Sequence, residues 1–397
     1  MIELSRLART TTVTGALLSG LAAAMTVANA SRMPKPTRPR AVITDSIVVC
    51  VPARNEEGRI GDLLADLRSQ TGCTDLQVLV LDDSSTDRTF AAASTAVAGD
   101  PRFQVLRSGV EPRPGWTGKA AACSALADLA FDKSSNLPGQ PANLSEPVKL
   151  IAFVDADVRL EPGAVAAAAA TVHEMGVALV CPWPEQVASS VTEWLIQPLL
   201  SFSWMASLPI RPANRSTRPS TAVACGQFLM FDADSYREIG GHASVSGSPT
   251  EDLDIARVLR RRGLNTVLVS GAGLARCRMY DGWPALRDGY TRWLWAAYGG
   301  VPGSVGVLGA LTVAFVVPPA AAVFGSGRTR TWGFVGYAAA VVSRLVSSRT
   351  ESGRGSVRAV CASAAHPVSI SLYIALTVES VRRRRYGLSM WKDRHTN

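Results

Sequence analysis

Three stretches of this chain contain no aspartate, glutamate, lysine or arginine: Thr10 to Ser31, Trp293 to Gly327 and Ala359 to Val378. Each reaches the roughly 20 residues that a helix needs to cross the hydrocarbon of a bilayer. Charged residues make up 18% of the 397, where a soluble domain carries about 25%, and mean hydropathy is +0.14. Most of the charge lies between Arg32 and Arg292, a length that suits one globular domain. This distribution excludes a disordered chain, a collagen and a small disulfide scaffold, and it argues against a wholly soluble enzyme.

Seven cysteines (50, 73, 123, 181, 225, 277 and 361) are scattered, odd in number and never paired as CxxC, and the four histidines form no spaced cluster with them. That pattern opposes both a disulfide framework and a zinc site and fits a reducing compartment. The formal net charge is +9. Its basic residues concentrate beside the apolar runs, at Arg32 to Arg40 and Arg382 to Arg385, which is where membrane-flanking charge belongs. Anionic lipid rather than nucleic acid is the partner this implies.

The first apolar run reads in two ways. Arg6, Arg9 and the later Ala28-Asn29-Ala30 resemble a secretory signal with its cleavage site. However, Arg32, Lys35, Arg38 and Arg40 follow the run and outnumber the two arginines before it. By the positive-inside rule the next domain then stays in the cytoplasm, and the segment is a retained anchor. Residues 1–40 are therefore assigned to an anchor and its basic flank.

Within 41–280 the pattern alternates. Ser46 to Pro52, Gln77 to Leu81, Phe103 to Leu106 and Lys149 to Val154 are short apolar runs rich in β-branched residues, the signature of buried parallel strands. Glu57 to Gln70, Thr86 to Val97 and Thr117 to Phe131 carry helical periods. Lys133 to Pro147 is polar and reads as a surface loop. The expected fold class is α/β, a mostly parallel sheet covered on both faces, with transmembrane helices at both ends of the chain. Ligands in such sheets lie outside the carboxyl ends of the strands, and that is where Asp82-Asp83 and Asp155-Ala156-Asp157 fall. No GxGxxG follows the first strand and no GxxxxGK[ST] occurs, so the usual glycine-built phosphate cradles are missing. Asp155 and Asp157, two apart, point the same way if the strand conformation continues; two hard oxygen ligands suit Mg²⁺ or Mn²⁺ holding a diphosphate, or are simply solvated carboxylates.

Six segments occur in a telling order: VPARNEE (51–57), VLDDSSTDRT (80–89), GWTGKA (115–120), VDAD (154–157), GQFLMFDADSYREIGGH (226–242) and TEDLDIARVLRRRG (250–263). Together they resemble family 2 glycosyltransferases with the nucleotide-sugar-binding GT-A fold, over about Asp45 to Tyr298. RCRMYDGW (276–283) is similar to membrane-bound transferases that glycosylate carotenoid acids and to the hopene-associated glycosyltransferases. The resemblance implies roles by position. Pro52, Arg54, Asn55 and Glu56 match the first nucleotide-binding loop, and Asp82-Asp83 the acidic pair near base and ribose. Lys119 matches a lysine near the nucleotide or diphosphate, Asp155 and Asp157 the metal-binding DxD, and Glu251-Asp252 the motif of the catalytic base, placed on Asp252. From the residues alone, Glu251 and Asp252 read first as decoration of the acidic first turn of a helix, which is common.

The implied reaction is inverting transfer of a single sugar from a nucleotide sugar, a UDP-sugar first, with Mg²⁺ or Mn²⁺, to a hydrophobic membrane acceptor such as a carotenoid or terpenoid. A polyprenyl phosphate or glycolipid acceptor is the alternative, and a non-catalytic nucleotide-binding membrane protein is a different class. Processive relatives carry QxxRW, whereas here Gly289 precedes Arg292-Trp293, which argues against a polysaccharide synthase. Trp293 and Trp295 are expected in an interfacial aromatic belt. Val191 to Ile210 reads as a surface-lying segment and 281–300 as an interfacial helix, or both apolar stripes pack internally. Residues 301–381 hold the carboxyl-terminal spans, Pro302 to Phe324, Thr331 to Ser347 and Ala359 to Val378, with Arg344 snorkelling from near an end. Three spans place Arg382 to Arg385 outside, and two place the arginines of 325–358 outside, so the positive-inside rule leaves the count open. The basic tail is 382–397, and its Trp391 to Arg394 resembles an ending of related transferases that favours a cytoplasmic terminus. The protein is expected in the cell membrane, multi-pass, with its catalytic domain cytoplasmic.

Overall fold

The computed structural model describes residues 2–109, 111–131, 147–386, 390–391 and 394–395. Residues 133–146 of the expected loop and 392–393 of the 391–394 ending lie outside the described residues. The chain divides into two compact units. One comprises Pro34–Glu185 and Pro212–Arg278; the other comprises the segment up to Met33, Gln186–Arg211 and the chain from Met279 onward. The continuous 41–280 domain expected from the sequence is thus interrupted by 186–211, which packs with the helices.

The first unit is built on a sheet. Its strands are β1 (Ile43–Ala53), β2 (Cys73–Asp82), β3 (Phe103–Arg107), β4 (Leu150–Val154), β5 (Val158–Leu160), β6 (Leu179–Trp183), β7 (Glu185–Gln186), β8 (Phe228–Asp232), β9 (Thr266–Ser270) and β10 (Ala275–Cys277). Seven of them form one sheet in the order β3-β2-β1-β4-β8-β6-β9. All neighbours pair parallel except β8, which runs antiparallel to β4 and β6. The central strands are buried on both faces: residues 47–51 of β1 and all of β4 are closed to solvent. The helix Ile60–Arg68 turns Ile60, Leu63, Leu64 and Leu67 inward, and Gly118–Ala130 does the same with Cys123, Leu126, Ala127 and Ala130. These are the i, i+3, i+4, i+7 positions of a core-facing stripe.

Register brings the strand ends level. Ala53 pairs with Asp82, and Asp82 with Arg107. Because β8 is antiparallel, Phe228 at its start pairs with Val154 at the end of β4. The start of β8 therefore lies at the carboxyl ends of its parallel neighbours.

The second unit is helical: Ile2–Arg32, Val191–Ile196, Leu199–Ser207, Gly282–Ala297, Val301–Phe315, Val317–Phe324, Gly327–Ser352, Val357–Ala364 and His366–Arg385. Among the described residues two segments are long and apolar enough to cross a membrane, Arg6–Arg32 and Val301–Phe324; the pair Val357–Ala364 and His366–Arg385 qualifies only jointly and is bent by 69°. Small residues bring helices close, as a membrane-type bundle requires: Ser19 Oγ donates to the Ala314 carbonyl, and Thr26 and Ser343 hydroxyls lie 2.9 Å apart. The apolar stripes of 191–210 and 282–297 face inward here. Ile196, Leu199, Phe202, Leu286, Tyr290 and Leu294 share one core with Tyr373 and Leu376. Glu193 is buried, accepting N–H groups from Ser189 (2.6 Å) and Gly282 (2.8 Å) and the Ser190 hydroxyl (2.8 Å), so it ties segments together rather than marking an exposed face. Arg344 does not snorkel; it is closed to solvent inside the bundle. Trp293 packs against Tyr290 (5.5 Å between ring centres), and Arg384 covers Trp295 at 4.7 Å. At Gly289 an added Cβ would collide with the hydroxyl-bearing edge of the Tyr280 ring, which explains sterically why no glutamine stands there.

Candidate active site

The first loop leaves β1 at Ala53 and is pinned to the loop after β2. Arg54 is buried, and its Nη1 donates to the carbonyls of Asp83 (2.7 Å) and Ser84 (3.1 Å). Asn55 takes φ 51°, a left-handed conformation that asparagine tolerates better than most residues. Its Oδ1 accepts from Thr86 N (2.9 Å), and its own N–H donates to Ser85 Oγ (2.9 Å). Glu56 N–H donates to Thr89 Oγ1 (2.7 Å) and Glu57 N–H to Asp87 Oδ2 (3.2 Å). These bonds spend the backbone donors of 55–57 on the neighbouring loop, so the helix begins at Ile60 rather than at Glu57 as its periodicity predicts. Pro52 sits half-buried in β1, level with Leu81.

Asp82 and Asp83 close β2 and are buried. Asp83 N–H donates to Ala53 O (2.7 Å), tying the two strand ends together. Asp82 Oδ1 accepts from Ser85 N (3.1 Å), and its other oxygen lies 3.3 Å from Arg107 Nε across the β2–β3 pair, a charge contact without hydrogen-bond alignment.

The second group gathers at β4, β8 and two helix starts. Asp155 follows β4 directly, and its N–H donates to Gln227 O (3.1 Å). Lys119, in the first turn of Gly118–Ala130, reaches Asp155 at 2.7 Å and Glu251 Oε1 at 3.3 Å. Burial alone would lower the Lys119 pKa, but Asp155 and Glu251 outweigh it and hold it well above the ordinary lysine value. Glu251 and Asp252 open the helix Glu251–Arg261. Asp252 Oδ2 accepts from Gly226 N (2.7 Å) and Oδ1 from Leu253 N (2.7 Å). Burial and the neighbouring Glu251 raise its carboxyl to about 6, against the opposing pull of Lys119 and the two N–H donors.

Asp157 lies two residues beyond Asp155. Burial, then Asp155 and Glu56, push its carboxyl up to about 7, and its Oδ1 is buried without a hydrogen-bond partner. Among the described residues no three His, Cys, Asp or Glu side chains converge as a ready metal cluster; the two DxD carboxylates would need non-protein ligands to complete a coordination shell.

The structure thus joins Lys119, Asp155, Glu251 and Asp252 in one network, sets Asp157 and Glu56 beside it electrostatically, and folds Arg54, Asn55, Asp82 and Asp83 into a braced pair of loops. Two residues were not foreseen. Gly226 lies where a Cβ would meet Lys119 Nζ at 2.8 Å and Asp252 Oδ2 at 3.5 Å. Gln227 carries the carbonyl that holds Asp155, while its side chain bridges Cys225 Sγ (3.3 Å) and Cys277 Sγ (2.9 Å). Both sit inside a segment flagged by the sequence, yet only the antiparallel direction of β8 shows why they matter. His242 is a core residue: it is buried against Phe153 (4.4 Å), bonded to Tyr236 Oη (2.7 Å), and lowered to about 3 by burial, with Lys119 contributing.

Residues 48–240 match the family model described as glycosyl transferase family 2, and residues 150–374 match that described as glycosyl transferase family group 2. The chain is 25% identical over 254 residues to the 4,4'-diaponeurosporenoate glycosyltransferase of Staphylococcus haemolyticus (strain JCSC1435), covering 63% of this chain and 61% of that protein. It is 27% identical over 261 residues to that of Staphylococcus aureus (strain MRSA252), covering 64% and 62%. The match therefore spans about three-fifths of the length of these relatives. Among solved structures, the mannosyltransferase PcManGT from Pyrobaculum calidifontis, in complex with GDP-Man and Mn²⁺, aligns with a TM-score of 0.55 at 16% identity, over 98% of this chain and 100% of that one. That likeness is one of fold.

Proposed function

Because the chain belongs to glycosyl transferase family 2, we propose that the network around Gly226 is the active site of an inverting transferase that moves one sugar from a nucleotide sugar to a hydrophobic membrane acceptor. The observation that carries this reading is the convergence of Lys119, Asp155, Glu251 and Asp252 at the carboxyl ends of the sheet. Displacing a nucleoside diphosphate from an anomeric carbon needs a stabilised leaving group and an acceptor oxygen relieved of its proton. The site offers a cation for the first and a carboxylate for the second.

Lys119 stands in the first turn of a helix, a place that favours an anion, and its ammonium, held here by Asp155 and Glu251, is assigned to the diphosphate. Asp252 is the base. As the acceptor oxygen bonds to the anomeric carbon, the carbon–oxygen bond to the diphosphate breaks with its electron pair leaving on that oxygen, and the acceptor proton passes to the Asp252 carboxylate. Attack from the face opposite the leaving group inverts the centre without an enzyme nucleophile. Two N–H donors fix the Asp252 carboxylate in place.

Asp155 and Asp157 fit Mg²⁺ or Mn²⁺: both donors are hard oxygens, one buried Asp157 oxygen lacks a partner, and the Asp157 carboxyl is raised by burial first and then by Asp155 and Glu56, a repulsion that a divalent cation would relieve. When bound, such an ion supplies Lewis-acid neutralisation of the diphosphate. Arg54, Asn55, Glu56, Asp82 and Asp83 are assigned to holding the nucleotide, with UDP as the first nucleotide to test. The acceptor reading rests on the membrane-length helices and on the name that the Staphylococcus relatives carry; a carotenoid or other terpenoid hydroxyl or carboxyl is the first choice. The catalytic unit is placed in the cytoplasm, where activated nucleotides are made.

The test is sugar release and transfer from radiolabelled UDP-sugars by purified, metal-stripped protein. Turnover should require added Mn²⁺ or Mg²⁺ and should be lost in Asp155→Ala and Asp157→Ala. Full turnover in the presence of a chelator would contradict the metal assignment.

A further inference from the structure

The helical unit buries a cation that the transfer reading does not use. Arg344 is closed to solvent. Its Nη2 donates to the carbonyls of Leu195 (3.1 Å) and Trp194 (3.4 Å), and its guanidinium carbon lies 6.0 Å from the centre of the Phe202 ring. Its Nε and Nη1 have no hydrogen-bond partner, and among the described residues it forms no ion pair.

Two further side chains near it share that condition. His366 packs edge-on against the same Phe202 ring, 4.7 Å between centres, and neither of its ring nitrogens has a partner. Gln197 lies on the chain between Leu195, which Arg344 touches, and Ser201, whose hydroxyl is 3.4 Å from that of Ser347, one turn beyond Arg344. Neither its amide oxygen nor its nitrogen has a partner. All three residues are 0% exposed.

Buried polar groups are nearly always satisfied, so three together call for whatever completes them. Water would serve an amide and an imidazole, yet it brings no charge to the guanidinium, which Glu351, two turns along the same helix, attracts without closing an ion pair, and a buried ion so weakly compensated is destabilising. Ionisable groups inside a membrane-type bundle mark ligand paths. We infer that Arg344, Gln197 and His366 form a site for the negatively charged oxygen head group of an amphiphile, a carboxylate or a lipid phosphate, admitted between the helices. A guanidinium paired with an oxyanion makes a strong charge-assisted hydrogen bond. Phe202 and Phe315, 5.4 Å apart and with Phe315 4.9 Å from His366, line it with apolar surface that favours a head group bearing a tail over a free ion. The site stands whether or not the chain transfers a sugar.

The test uses the full chain in detergent, with retained ligand read by native mass spectrometry against phosphatidylglycerol, oleate, phosphatidylcholine and inorganic phosphate. Retention of phosphatidylglycerol, of oleate or of both supports the site and tells phosphate from carboxylate. Arg344→Met should weaken that retention at least tenfold, and Arg344→Lys should keep most of it. Equal retention by wild type and Arg344→Met overturns the proposal; it is the result that a cluster holding only water gives. Inorganic phosphate or phosphatidylcholine held as tightly as the anionic lipids overturns it too. Should Arg344→Met not fold, Gln197→Leu keeps the charge and should still lose retention at least threefold; unchanged retention there counts against the site.

Discussion

Asp252 holds its carboxylate on two backbone N–H groups, so its position depends on Gly226 and on the start of its own helix. A base fixed in this way is worth about 10²- to 10⁴-fold, and Asp252→Asn should lower kcat by that order while leaving donor KM within a few-fold. Because burial and Glu251 raise the carboxyl to about 6, the base form prevails above that pH and is lost below it. The logarithm of kcat/KM should therefore fall with unit slope as pH drops through about 6, a limb that Asp252→Asn abolishes. Gly226 is the second residue with a sharp consequence. A methyl there meets Lys119 Nζ at 2.8 Å, closer than van der Waals contact allows, so Gly226→Ala should move the lysine off Asp155. The expected loss is about tenfold or more in kcat, a barrier change of about 1.4 kcal/mol. A variant with full kcat would remove Lys119 from the mechanism.

At the scale of elements, the site depends on strand ends staying level and on the helix Glu251–Arg261 staying in place. Arg260 anchors the far end of that helix: it donates to Thr266 Oγ1 (2.8 Å), Thr266 O (3.0 Å) and Thr221 Oγ1 (2.7 Å). Arg260→Ala removes these bonds and leaves buried acceptors without a donor, a loss of about 2–4 kcal/mol by analogy with charged hydrogen bonds, measurable as a lower denaturation midpoint of the full chain. The parallel strands β1, β2 and β4, with Asp82-Asp83 and Asp155-Asp157 at their ends, were legible in the sequence because buried parallel strands are uninterrupted apolar runs and carboxylates end them visibly. The direction of β8 was not, since an apolar run of five residues carries no arrow. That is why Gly226 and Gln227 escaped notice while the strand ends did not. Glu193 escaped for another reason. A glutamate on an apolar segment reads as exposed, and only the Gly282 N–H, 89 residues away, reveals it as a buried tie.

At the scale of the whole chain, the two segments among the described residues that are long and apolar enough to cross a bilayer predict that the protein stays in the membrane pellet after alkaline carbonate extraction; release into the supernatant would contradict membrane insertion. Composition alone made this legible, because charge-free runs of this length have few other uses. The packing inside the helical unit was not legible in the same way. Arg344 looked like a residue that would reach for the headgroups, and instead it is closed in over the Phe202 ring, against which His366 also packs. Which face of an apolar helix is covered, and by what, depends on neighbours that periodicity does not name. The central claim is that one constellation in the sheet unit transfers a sugar to a membrane lipid. It is tested most directly by incubating membranes containing the protein with a radiolabelled UDP-sugar and Mn²⁺, then counting label in the organic extract. The account predicts labelled lipid with wild type and background with Asp252→Asn at equal protein level; label that appears equally with both, or stays in the aqueous phase with wild type, would contradict it.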